Sequence, residues 1–253
     1  MKRLTFSLLI IFLVANSIGY AALIEDFDFD SDAVGEIPDG WFVPCTPGGF
    51  LGVVDNQYFS PTNSLRAVDS ENSLMTWLGR ELSSPQAPLM TLEFQVMNTG
   101  AGPADFAISK GAYLGPGDPQ TDLGNAIFWF EIEDGYLRYS TGGHPDEGET
   151  LASNVENDQW HKIMIEVNSF TSAKVWLDDN YVGMASNHTQ SPVTEITHIH
   201  IGASGGPGNV ADAYFDDVKV YSEPIPEPST ICLMGFGLLG VLGIFIRQRR
   251  KVK

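Results

Sequence analysis

Cysteine is nearly absent from this chain: Cys45 stands alone in the central part, and Cys232 lies inside an apolar stretch near the C-terminal end. Once that end is removed a single thiol is left, which excludes an intramolecular disulfide or a cysteine-rich zinc site. Cys45 then reads as a small buried side chain. Basic residues are scarce too. Of the 14, two open the chain and five close it, leaving seven between residues 22 and 222 against thirty of the 32 acidic ones. A net charge of about −23 on that part repels nucleic acid and anionic lipid and suits divalent cations or a saline medium. Between the two ends no long helical periodicity occurs. A phosphate-binding loop, a dinucleotide fingerprint and a nucleophile elbow are also missing, so nucleotide and serine-hydrolase chemistry have no support.

What is present at the ends is a pair of export signals. Lys2 and Arg3 precede an apolar run from Leu4 to Val14, and Ala15 to Ala22 is small and mildly polar. This is the layout of a secretory signal peptide over residues 1–21, with Gly19 and Ala21 supplying the small side chains before the cut. At the other end, residues 223–253 hold an apolar run from Ile231 to Ile246 followed by Arg247, Arg249, Arg250, Lys251 and Lys253. The run is slightly shorter than the ~20 residues of a spanning helix. Its basic end belongs in the cytoplasm, which puts the domain on the far side of the inner membrane.

The order Pro226-Glu227-Pro228, Ser229-Thr230, Gly/Leu-rich span and arginine cluster resembles the PEP-CTERM sorting signal. That resemblance implies an exosortase as partner, cutting near the Pro-Glu-Pro, and a Gram-negative envelope. It further implies a destination at the cell surface or in an extracellular matrix of exopolysaccharide or biofilm.

Residues 22–222 read as one all-β domain. In AIFWFEIE, Phe128, Phe130 and Ile132 share one face while Trp129, Glu131 and Glu133 share the other. Asp134-Gly135 is a two-residue hairpin signal, after which Leu137 and Tyr139 return inward. Ile163, Ile165 and Val167 alternate likewise, as do Val175 and Leu177 before a turn near Asp179-Asn180. HIHIGA and YFDDVKVY supply the last strands, and the segments 83–88, 111–124, 142–148 and 202–208 read as loops. Many short antiparallel strands with one apolar face predict a two-sheet antiparallel jelly-roll sandwich. The opening IEDFDFDSDAVGEIPDGW, the central QWHKIMIEVN and KVWLDDNYVG, and the closing YFDDVKVY resemble the concanavalin A-like lectin/glucanase superfamily, including its laminin-G-like members.

Three candidate sites follow. Glu25, Asp26, Asp28, Asp216 and Asp217 form a pool of carboxylates on the first and last strands. Glu25 and Asp216 share faces with apolar residues, and buried charge needs a counter-ion. The resemblance implies a structural Ca²⁺ there; exposed strand-end carboxylates are the open alternative. The second site is a glycan platform. Pairing about Asp134-Gly135 sets Glu133 opposite Tyr136, Glu131 opposite Arg138 and Trp129 opposite Ser140, so that Trp129, Glu131, Tyr136 and Arg138 share an outward face. A loop over Trp129 and a plain Glu131–Arg138 pair is the alternative. The third is catalysis: Glu131 and Glu133 alternate on one face, but the glucanase pattern Glu-x-Asp-x-x-Glu needs Asp at 133 and Glu at 136, where this chain has Glu133 and Tyr136. His198 and His200 read as solvent-facing strand residues, and Asn187-His188-Thr189 as an exposed loop. The reading is an exported, non-catalytic surface or matrix protein that binds glycan, with a polysaccharide-active hydrolase or lyase of the same fold as the alternative.

Overall fold

The computed structural model describes residues 21–44, 49–70, 75–111, 125–141, 148–188, 193–205 and 209–222. Residues 1–20 of the segment read as a signal peptide, Cys45 and the whole C-terminal tail with Pro226, Glu227, Pro228, Ser229 and Thr230 lie outside them.

Fifteen strands follow one another, with no α-helix among the described residues. In chain order they are β1 (Leu23–Phe27), β2 (Trp41–Phe42), β3 (Leu51–Val54), β4 (Ser64–Asp69), β5 (Met75–Gln86), β6 (Met90–Asn98), β7 (Ala104–Ser109) and β8 (Ala126–Glu133). There follow β9 (Tyr136–Tyr139), β10 (Glu149–Ser153), β11 (His161–Ser169), β12 (Ser172–Leu177), β13 (Asn180–Ser186), β14 (Ile196–Ser204) and β15 (Ala211–Tyr221). They form two antiparallel sheets of eight and seven strands. The first runs β13-β12-β11-β6-β15-β4-β3, with β1 also on β15; the second runs β10-β9-β8-β7-β14-β5-β2. Chain crossings between the sheets, as from β5 to β6 and from β13 through β14 to β15, give a sandwich of jelly-roll type.

Alternation places the core between the sheets. Phe94 and Phe215 face Phe106 and Phe130 across the gap, with Phe94 and Phe106 centroids 4.9 Å apart and Phe106 stacked on Phe130 at 5.4 Å. The inward residues read from sequence on β8, β9, β11 and β12 all join this core, Leu177 only at its margin. Asp134 and Gly135 take φ of 51° and 79° and close the β8–β9 hairpin as a primed two-residue turn.

Three local expectations shift. The second tight turn is made by Asp178 and Asp179, at φ 50° and 62°, one residue before the place read from sequence, and it leaves Leu177 paired with Asn180. Residues 83–86 and 202–204 are strand, not loop. The serines and proline of 83–86 are held because Gln86 pairs with Ile196 beyond a register shift between Ile196 and His198.

Candidate functional site

The outer face of the seven-stranded sheet is built from the residues that alternate with the core ones. Across β9, β8, β7, β14 and β5, one row reads Arg138, Glu131, Asp105, Gly202 and Trp77, each the register partner of the next. The neighbouring row reads Ser140, Trp129, Ala107, His200 and Gly79. An outer face of an antiparallel sheet is ordinarily solvated. Here Asp105, Glu131, Trp129 and His200 are all 0% exposed. Trp77, Ala107, Ala126 and Trp129 make an apolar cluster separate from the main core.

The polar groups are knitted together. Trp129 Nε1 donates to Asp105 Oδ1 at 3.0 Å, and Ser204 Oγ donates to Asp105 Oδ2. Arg138 Nη1 donates to Glu131 Oε1 at 3.3 Å, lies 3.7 Å from Glu133 Oε2, and its guanidinium sits 4.9 Å from the centre of the Tyr136 ring. Burial pushes the Asp105 carboxyl up to about 8, with Glu133 and Asp69 adding to the rise and Ser204 and Trp129 opposing it; burial pushes the Glu131 carboxyl up to about 9, with Asp105 and Glu133 adding and Arg138 opposing. Two directly opposed carboxyls in a dry setting therefore hold protons at neutral pH. Burial also holds His200 well below the ordinary imidazole range, so its ring is neutral. Ser109 Oγ lies 2.9 Å from both Gly111 O and His200 Nε2, donating to the first. A second pair, Ser140 Oγ and His188 Nδ1 at 2.7 Å, stands on the other side of Trp129, whose ring centroid is 5.8 Å from that of His188.

The pairing read for the glycan platform is observed: Glu133 faces Tyr136, Glu131 faces Arg138, and Ser140 N donates to Trp129 O. Its accessibility is corrected. Trp129 and Glu131 are covered, and only Tyr136, 39% exposed, and Arg138, 19% exposed in its side chain, reach solvent. His198 and His200 are likewise not solvent-facing, because Phe42 of β2 lies edge-on to both rings at 5.8 and 6.2 Å. Phe42 can sit there because residue 79 beneath it has no side chain. His188 is buried against Trp129 instead of marking an open loop.

The five carboxylates read as a calcium pool are not brought to one point. β1 does pair with β15, Asp26 opposite Lys219. Glu25 turns towards the other sheet, accepting from Ser83 N at 2.7 Å and meeting Arg80 at 3.5 Å. Asp28 accepts from Asp30 N in a local turn, and Asp217 lies 3.4 Å from Lys219 Nζ. Asp216 is fully buried and its Oδ2 accepts from Phe59 N and Ser60 N, both at 2.9 Å. Burial lifts its carboxyl to about 6 against the pull of those donors. Among the described residues no three His, Cys, Asp or Glu side chains converge as a metal would need. Backbone N–H groups and cations in part answer the charge that the sequence assigned to an ion.

Asp105 was not singled out in the sequence. The signal was available in ADFAIS, where Asp105 alternates with Ala107 and Ser109 beside the same-face residues of β8.

Comparison with known proteins bears on the tail and on the fold separately. Residues 224–250 match the PEP-CTERM protein-sorting motif. No curated protein matches the chain. Among solved structures, the cellulose-induced protein Cip1 superposes with a TM-score of 0.58 at 14% identity, over 80% of this chain and 100% of that one. A sialidase superposes at 0.57 and 14% identity over 79% of this chain, which spans only 18% of the sialidase. The endo-β-1,4-glucuronan lyase of the fungus Trichoderma reesei superposes at 0.52 and 16% identity, over 76% of this chain and 95% of that one. At such identities the likeness is one of fold. The chain is thus an antiparallel β-sandwich carrying the PEP-CTERM motif, which marks an exported exosortase substrate of Gram-negative type.

Proposed function

We infer that the protein is a non-catalytic component of the cell surface or extracellular matrix that holds polysaccharide at the solvent edge of the outer face of its seven-stranded sheet, where Tyr136 and Arg138 lie. One observation carries the reading: that face buries two carboxyls, three histidines and two tryptophans outside the main core. Each buried carboxyl costs several kcal/mol relative to water. A face needed only for folding would be cheaper in apolar residues, and local violations of this kind gather at functional sites. Tyr136 and Arg138 at the solvent edge offer a ring face and a fixed donor fork, the two groups that a pyranose and its hydroxyls match. The export route supports the reading, as do the names of the proteins with the same fold, a sialidase, a glucuronan lyase and a cellulose-induced protein.

Native electrophoresis through gels cast with dissolved polysaccharides tests it. Retardation that drops about fivefold or more in Tyr136→Ala and Arg138→Ala is the expected result; full retardation in both variants would remove the face from consideration. A catalytic reading is favoured by one feature, the directly opposed Asp105 and Glu131, since two adjacent carboxyls can supply a glycoside's general acid and, once one of them has lost its proton, the base or nucleophile. New reducing ends or unsaturated products in the same incubations, lost in Glu131→Gln, would establish it.

A further inference from the structure

The loop between β3 and β4 carries two exposed aromatic side chains in succession, Tyr58 at 44% and Phe59 at 50% exposure. Phe59 meets the partly buried Trp160 edge to face, ring centroids 6.2 Å apart. Trp160 in turn lies on Val54, Met97 and Tyr214, a small apolar cluster on the outer face of the eight-stranded sheet. Beside it Arg66 grips Asp212 through Nε and Nη2 at 2.9 and 2.7 Å, with its guanidinium 5.3 Å from the centre of the Tyr214 ring. Both members of that pair remain partly exposed, at 31% and 20%.

The loop is not free to move its rings. Asp216 Oδ2 takes the N–H groups of Phe59 and Ser60. Asp30 Oδ1 takes those of Thr62 and Asn63, and Ser64 Oγ donates to Gln57 O. Asn63 Nδ2 reaches back to Phe29 O at 3.4 Å and Asp32 O at 3.3 Å. Exposed aromatic surface gains little for folding. Fixing the backbone beneath them lowers the entropy lost when they bind something.

We propose that Phe59 and Trp160, with the exposed Tyr58 next to Phe59 in the same loop, form a second saccharide contact, on the sheet opposite the first, that takes the apolar face of an uncharged pyranose. Three reasons select that ligand. Rings at a surface present C–H and π faces of the size of one sugar ring, and the partly exposed Arg66–Asp212 pair stands beside the Trp160 cluster to meet hydroxyl groups. The net charge of about −23 on residues 22–222 opposes a polyanion. Three partly covered rings fall far short of the ~800 Å² a side that a stable protein interface buries. This contact stands on its own residues. Only its consequence, one molecule joining two polysaccharide strands, rests on the face described above.

The test uses the mature chain in native gels cast with uncharged polysaccharides (β-glucan, xylan, galactomannan, dextran) and, in parallel, alginate. Retardation by at least one uncharged polymer, reduced about fivefold or more in Phe59→Ala and in Tyr58→Ala, is expected. Both residues are half exposed, so folding is not at stake in these variants. Trp160 emission should shift on adding that polymer, a signal that Trp160→Phe removes. Asp216→Ala, which keeps every ring and releases the loop, should weaken retardation by about threefold. The proposal is overturned by retardation unchanged in both loop variants, by no retardation in any uncharged gel, or by self-association that Phe59→Ala abolishes. Loss confined to Tyr136→Ala and Arg138→Ala would sink it while leaving the first face intact.

Discussion

Asp105, Glu131 and His200 set the pH response of the molecule in opposite directions. Asp105 and Glu131 keep protons in the folded chain that their unfolded forms release above about pH 4. Their contribution is complete below that point and is lost as pH climbs towards 8 and 9. His188, His198 and His200 are held neutral by burial, so their contribution is present above the ordinary imidazole value of 6.5 and is lost as pH falls below it. Maximal stability should therefore lie on the acid side of neutrality. We expect the melting temperature to fall from pH 6.5 to pH 9 in the wild type, and to fall less in Asp105→Asn, whose amide oxygen still accepts from Trp129 while its NH2 donates to the Ser204 hydroxyl oxygen. A wild-type melting temperature that is level over that range would mean that the two carboxyls are not buried as described. These residues also mark where sequence reading stopped. Alternation assigned Trp129 and Glu131 to the outer face correctly, yet it says nothing about whether that face meets water.

For His198 and His200 the cover comes from an element too short to read. β2 is two residues long, and Phe42 reaches His198 and His200 only by crossing β5 at Gly79. A Cβ on residue 79 would stand 2.4 Å from the Phe42 ring. Gly79→Ala should displace that ring, cost about 1–3 kcal/mol, and let the two histidines titrate nearer their ordinary range, as histidine proton NMR would show; an unshifted titration would put their cover elsewhere. The longer elements from β8 to β15 were legible because each alternates against one core. The carboxylates of β1 and β15 were legible as inward-pointing and not as to partner. The donors to Asp216 come from Phe59 and Ser60, more than 150 positions away, a pairing that no local pattern encodes.

For the whole molecule, the sorting motif and the sandwich are separate inheritances, one read from a short linear pattern and the other from alternation along the whole domain. Intact mass of the protein recovered from cells and from medium tests the first. A species ending between Pro226 and Thr230 is expected if an exosortase cuts there; retention of Lys253 in both fractions would make the tail a plain anchor. The sandwich adds a mechanical property. β15, from which the chain runs on towards the tail, is an interior strand: β6 pairs along one edge, while β4 and then β1 pair along the other. A load applied through the C-terminal end pulls β15 lengthwise against ladders on both sides, so their hydrogen bonds resist together instead of unzipping one by one. Forced unfolding is governed by that barrier and not by equilibrium stability. A domain tethered by this end would hold its shape under drag.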